Sequence, residues 1–245
     1  MNAVAITLDI DWAPDYMIDY AAARLLAGNV RATWFVTHHS AAIDRLSGYP
    51  ELFELGIHPN FLPGTTHGKT ETEVLAHCLR IVPNATSVRM HGLVQSSNLL
   101  GLIARDTQIE TDVSLFLPHA DNLEPVQYFW PEGAKMIRIP YFWEDDFEMA
   151  RPEPIWSPKH LTGSTNGVKI FDFHPVHIFL NADSLEPYRS LRNLGALENI
   201  PISRATEFAM PRNLGTCAMF DALINHLSAT RSWKISEISN TFLAS

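Results

Sequence analysis

Cysteine is scarce. The 245-residue sequence has only Cys78 and Cys217, too few for a disulfide framework, so a reducing compartment is the expected setting. Positive charge is short as well: 18 Lys and Arg stand against 27 Asp and Glu, a formal net charge of −9. A chain of that sign has no basic face with which to neutralise a phosphate backbone, and nucleic acid is not an expected partner. No stretch approaches twenty uninterrupted apolar residues. The N-terminal MNAVAITLDIDW carries no positive n-region and meets two aspartates by position 11, which argues against a signal peptide and against membrane insertion. These absences together predict a cytoplasmic protein. Internal repeats, low-complexity tracts and blocks of like charge are also missing, and nothing in the pattern sets an oligomeric state.

Hydrophobic residues make up 46% of the chain, ample for the core of one α/β domain spanning 1–245. Short β-branched runs at 3–9, 32–37, 54–58, 87–91, 108–112, 135–140 and 168–174 alternate with helical patterns at about 15–28, 40–47, 69–81 and 95–105. That alternation predicts βα units around a mainly parallel sheet or barrel. Further helices are expected near 183–193, 215–229 and 233–243. Thr70 followed by Glu73 reads as a capping box at the head of the third helix. The segments 118–135 and 150–160 read as long surface loops.

Ionisable residues gather at the C-terminal ends of the predicted strands, the face on which βα folds build sites. In TLDIDWAPD, strand alternation through Asp11 would place Asp9 and Asp11 on one side, a carboxylate for a metal and another for a base; an Asx-turn or helix cap is the bland alternative. In ELFELGIHPNFLPGTTHG, His58 and His67 lie nine residues apart, and Pro59, Pro63 and Gly64 would steer the loop back so that both join Asp11 in a three-ligand set for a divalent ion. Either histidine alone reads as a hydrogen-bonded, partly buried residue. SVRMHGL puts Arg89 and His91 on one side, Arg89 to orient a carboxylate base or to close an ordinary salt bridge, His91 as a substrate contact. FDFHPVHIFLN places His174, a candidate general acid, at the end of a very apolar strand where ionisable groups are costly; His177 reads as packing. In IRIPYFWEDDFE, Tyr141, Trp143 and Asp145 suit a sugar ring, while an aromatic core patch followed by an acidic turn is the competing reading. Asp112 ends a strand in the same way, and His38, His39, His77, His119, His160 and His226 read as structural or surface residues.

These residues resemble the polysaccharide deacetylases of the NodB-homology type, carbohydrate esterase family four. TLDID matches the family's first motif, GIHPNFLPGTTHG is similar to the second, VRMHG stands in the place of the third, and FDFHPVH in that of the last; the likeness runs from about residue 3 to residue 180. The resemblance implies a distorted (β/α) barrel of about seven strands. It also implies Asp9 as base, Arg89 as the residue that orients it, His174 as acid, and a metal on Asp11, His58 and His67, with Asn60 as an alternative to His67. The implied ion is zinc, with nickel, cobalt or manganese as alternatives. The implied substrate is an N-acetylated sugar or saccharide precursor. A cyclic imide or ureide substrate and a non-catalytic sugar-binding role are the rival readings. The sequence departs from the family where Ile10 separates the aspartates and where Leu62 stands at the position four residues after His58.

Overall fold

Residues 2–158, 166–211 and 213–244 are described by the computed structural model; His160 lies outside them. Runs that read as continuously apolar become strands buried on both faces, as parallel sheets covered by helices require. The clearest are β1 (Asn2–Asp9), β2 (Ala32–Val36) and β9 (Gly167–Phe173). With β3 (Phe53–Ile57), β4 (Ser87–Val88), β5 (Thr111–Asp112), β6 (Val126–Phe129), β7 (Lys135–Arg138) and β8 (Trp143–Glu144) they form one sheet in the order β6-β7-β5-β4-β3-β2-β1-β9-β8. All pairings are parallel except β6 with β7.

The sheet curls until its ends meet. Ile139 N–H donates to Asp112 O at 2.9 Å and Tyr141 N–H to Leu115 O at 3.0 Å, while Phe142 N–H donates to Ile170 O at 3.1 Å. Residues 139–142 therefore bind the β5 side at one end and β9 at the other, bending at Pro140, which has no N–H to offer a ladder. Counted this way, β7, 139–142 and β8 are one kinked stave, and with β1, β2, β3, β4, β5 and β9 they make the seven staves of a distorted (β/α) barrel. The segment 118–135, expected as loop, instead contains β6, which adds to the outside of β7. Its residues are mostly exposed, so neither alternation nor a continuous apolar run marks it.

Helices α1 (Asp15–Gly28), α2 (Ala41–Ser47), α3 (Glu71–Ile81) and α4 (Ser97–Asp106) follow β1 to β4. The capping box at α3 is present: Glu73 N–H donates to Thr70 Oγ1, and Thr70 N–H donates to Glu73 Oε2, each at 3.2 Å. Later helices are α5 (Asp145–Ala150), α6 (Pro175–Leu180), α7 (Glu186–Arg192), α8 (Ile202–Ala205), α9 (Thr216–Ser228) and α10 (Ile235–Leu243). The C-terminal segment belongs to the barrel, since Trp233 N–H donates to Val4 O at 3.1 Å and Ile235 N–H to Thr33 Oγ1 at 3.0 Å. Among the described residues no helix is long and apolar enough to cross a membrane.

Candidate active site

β1 stops at Asp9, and the chain turns at once. Ala13 N–H donates to Ile10 O at 2.7 Å, with Asp11 at φ 40° and Trp12 at φ 57°. Two central residues in the left-handed region are the signature of a type I′ turn, which asparagine, aspartate and glycine adopt far more readily than tryptophan. The neighbours hold it: Ile10 N–H donates to Phe35 O and Trp12 N–H to Thr37 Oγ1, each at 3.2 Å. The expected extension of the strand through Asp11 is thus corrected. It is the turn, not alternation, that brings the two carboxylates to one imidazole: His58 Nε2 lies 3.5 Å from Asp9 Oδ2 and 3.2 Å from Asp11 Oδ1.

A second imidazole completes the group. His91 follows β4, its N–H donating to Pro59 O at 3.0 Å, and its Nδ1 stands 3.1 Å from Asp11 Oδ1 and 3.3 Å from His58 Nε2. Asp11, His58 and His91 each turn a donor atom to a common point, all within 4.8 Å of one another. Burial raises the Asp11 pKa, but hydrogen bonds from His58 and His91 and the charges of His58 and His174 outweigh it and hold the carboxylate well below its usual range. Burial works against protonation of His91, and Asp11 overcomes it, so that His91 is raised. Two imidazoles and a carboxylate are a donor set suited to zinc and its neighbours.

His67, expected in this set, stands outside it. It is buried, stacked on His77 with ring centroids 4.7 Å apart, and its Nδ1 accepts the Asn60 N–H at 3.2 Å beside Cys78 Sγ at 3.5 Å. Burial, with His77 adding, pushes its pKa down to about 4. The Asn60 carbonyl is also engaged, accepting Leu62 N–H at 2.9 Å. Gly64, at φ +83°, does turn the loop, but the place beside Asp11 and His58 goes to His91, which the sequence reading had as a substrate contact.

Behind the trio, Arg89 is fully buried between the rings of Phe35 and Tyr141, 4.7 and 4.3 Å from its guanidinium carbon. Its Nη1 meets Asp9 Oδ1 at 3.1 Å, Thr7 Oγ1 at 2.9 Å and Asp172 Oδ1, and Nε donates to Val113 O at 3.0 Å. One cation thus serves two carboxylates. Burial lifts Asp172 well above the ordinary range, with the pull of Arg89 against it and Asp9 adding to the rise. Asp172 was missed in the sequence, although a lone acid inside the apolar run VKIFDF carries the same signal of cost that singled out His174.

On the other side, His174 Nε2 lies 3.7 Å from Asp11 Oδ2, and Nδ1 sits 2.7 Å from Asp145 Oδ1. Asp145 Oδ2 also accepts the His174 backbone N–H at 2.8 Å. Burial disfavours the imidazolium, but Asp145, and then Asp11, raise its pKa well above the usual value. Asp145, Tyr141 and Trp143 are each 0% exposed. Tyr141 OH donates to Glu144 Oε2 at 2.8 Å, and Trp143 packs 4.9 Å from Phe173 and 6.0 Å from Trp156. All three belong to the interior, and their expected contact with a sugar is corrected in favour of the aromatic core patch. Glu144 itself is pushed up to about 8 by burial and by Asp146. Asp112 is engaged elsewhere, 2.7 Å from Arg138 Nε. His177 is buried against Tyr188 at 5.1 Å.

Asp11 and His91 of the trio open into a cavity of about 410 Å³ lined also by Trp12, Asn60, Thr65 and residues of α7 and the turn after it, a volume that accommodates a sugar unit. Half-buried Trp12 is the aromatic wall, 5.3 Å from His91 between ring centroids.

Residues 6–192 match the WbmS-like polysaccharide deacetylase family. Among curated proteins, none matches the chain. A Bordetella bronchiseptica protein assigned to O-antigen biosynthesis as a polysaccharide deacetylase superposes with a TM-score of 0.78 at 28% identity, covering 91% of this chain and 90% of that one. A peptidoglycan N-acetylglucosamine deacetylase superposes at 0.52 with 14% identity over 96% and 87% of the two chains. A family 4 acetyl xylan esterase from Clostridium thermocellum, in complex with cobalt, gives 0.50 with 12% identity over 98% and 91%. The last two show a shared fold.

Proposed function

Because the chain belongs to the WbmS-like polysaccharide deacetylases, we propose that it hydrolyses the N-acetyl group of an amino sugar, in a poly- or oligosaccharide or its precursor, with one divalent ion held by Asp11, His58 and His91. The observation that carries this reading is the convergence of these three donor atoms between an arginine-held carboxylate, Asp9, and a carboxylate-backed imidazole, His174. When bound, such an ion supplies Lewis acidity toward the acetyl carbonyl and lowers the pKa of water to roughly 7. Asp9, fixed by Arg89, takes a proton from the attacking water. His174, kept protonated by Asp145, hands one to the departing amine. Trp12 offers a face against which the C–H side of a pyranose stacks. Both cysteines are free thiols; action in the cytoplasm on a saccharide precursor, with zinc as the resident ion, completes the proposal.

Metal content and acetate release test it. Wild-type protein is expected to carry about one equivalent of transition metal by elemental analysis and to release acetate from an N-acetylated sugar; His91→Ala loses the metal, and His67→Gln keeps it. Metal lost from His67→Gln and kept in His91→Ala would return His67 to the ligand set. Ring opening of a cyclic imide without acetate release would replace the sugar reading.

The acid has its own signature. In Asp145→Asn the charge that raises His174 is gone, so the imidazole loses its proton at lower pH, and the alkaline limb of the kcat/KM profile moves toward neutrality. A limb that stays in place would remove His174 from the role of acid.

A further inference from the structure

The wall of the cavity opposite in sequence to the motifs comes from α7, and this helix is built in two stripes. Pro187 and Leu191 are buried and seat it. Tyr188 and Arg192, four residues apart and so on one face, line the cavity over Asp11 and His91. Arg192 is the single Lys or Arg in that lining. Glu198 lines the same cavity, yet no ion pair joins them, and among the described residues Arg192 is exposed and has no carboxylate partner. Arg24, Arg31, Arg45, Arg138, Arg151 and Arg204 each close an ion pair; Arg80, Arg105, Arg189 and Arg231 resemble Arg192 in closing none among the described residues, but none of the four lines this cavity. The Tyr188 hydroxyl is also without a hydrogen-bond partner among the described residues.

The chemistry of the site makes this arginine informative. Asp9, Asp11, Glu144, Asp145, Asp146 and Asp172 gather around the centre, in a protein of net charge −9. Of these, Glu144 and Asp172 are pushed toward the neutral form, and Arg89 and His174 stand against the others, so it is the acidic balance of the whole protein that an anionic substrate has to overcome on approach. A guanidinium donates to the hydroxyls of a neutral sugar as well, but its planar fork of N–H donors matches a carboxylate or phosphate in two charge-assisted hydrogen bonds, the stronger pairing.

Resting on the deacetylase reading, we propose that the substrate is an acidic saccharide. Arg192 pairs with a carboxylate or phosphate carried on the N-acetylated sugar, and Tyr188 hydrogen-bonds the same unit, so that α7 selects the substrate that the motif residues process.

The experiment compares kcat/KM of the metal-loaded protein for an N-acetylhexosaminuronic acid, an N-acetylhexosamine 1-phosphate and a neutral N-acetylhexosamine, in wild type, Arg192→Gln and Arg192→Lys. The ratio of acidic to neutral kcat/KM is expected to fall roughly 10- to 100-fold in Arg192→Gln, chiefly through KM, with part of it restored in Arg192→Lys. The acidic compound that shows the fall identifies the anion as carboxylate or phosphate. An equal loss on acidic and neutral compounds, or a wild type with no preference for either acidic one, overturns the proposal. If wild type deacetylates none of the three, it is the deacetylase reading that fails. Arg192 is then decided by calorimetric titration of the two acidic sugars: weaker binding to Arg192→Gln than to wild type supports the anion site, and equal binding overturns it.

Discussion

Asp9→Asn is expected to lower turnover of an N-acetylated sugar by roughly 10²- to 10⁴-fold, the usual contribution of a positioned general base, while the metal content stays at the wild-type level. The asymmetry follows from how Asp9 is held. One oxygen meets Arg89 Nη1 at 3.1 Å, and the other faces His58 Nε2 at 3.5 Å, whereas Asp11 stands 3.2 Å from His58 and 3.1 Å from His91. Asparagine keeps the shape and an oxygen for Arg89, so the trio Asp11, His58 and His91 is undisturbed, but the amide cannot accept a proton from water. Elemental analysis beside an acetate assay reads both halves. Loss of metal would move Asp9 into the ligand set, and full activity would remove the base.

Arg89→Met is expected to be the most destabilising single change at the site, by about 3–5 kcal/mol, the range found when one partner of a buried ion pair is removed. Methionine fills part of the slot between Phe35 and Tyr141 but leaves Asp9, 4% exposed, and Asp172, 0% exposed, without their cation. In a chain of this size that corresponds to a fall of roughly 10 °C in Tm. The loss depends on pH, and its sign follows from Asp172, whose pKa already lies above the usual range and rises further without the guanidinium. A carboxyl raised in the folded state contributes stability below its unfolded pKa of about 3.9 and loses it as pH rises through the folded value. The deficit of Arg89→Met is therefore smallest in acid and grows toward neutrality. Calorimetry of both proteins from pH 4 to pH 8 checks this; a deficit below about 1 kcal/mol, or one that grows in acid, would show that the arginine does not neutralise the pair.

Much of the barrel was legible because strands buried on both faces leave long apolar runs, as in AVAITLD and VKIFDF, and helices leave caps such as Thr70 with Glu73. β6 was not, since its side chains face solvent. Within the candidate site, residues that follow strands were visible as polar punctuation after apolar runs. What alternation could not convey was which of them turn inward: Asp11 reaches the centre through left-handed backbone at Asp11 and Trp12, a conformation that aspartate accepts but tryptophan rarely adopts. His67 was preferred to His91 because a loop rich in Pro and Gly invites a return, but the fold uses that loop to bury His67 against His77 and Cys78. Aromatics beside acids in PYFWEDD suit a saccharide and a barrel interior equally, and only burial separates the two. Tyr188 and Arg192 carried no signal at all, because a helix contributed from beyond the last strand enters the site by tertiary packing alone.

The kinked stave at 139–142 ties catalysis to the mechanics of closure. The hoop is completed there by a handful of backbone hydrogen bonds around Pro140, and the chain runs straight on from that joint into Glu144 and Asp145, the latter being the residue that holds His174. Proteins open locally as well as globally, at free energies below that of full unfolding. An opening of the hoop at this joint would slacken the anchor of its acid, so that the site would lose its proton donor while most of the staves are still in place.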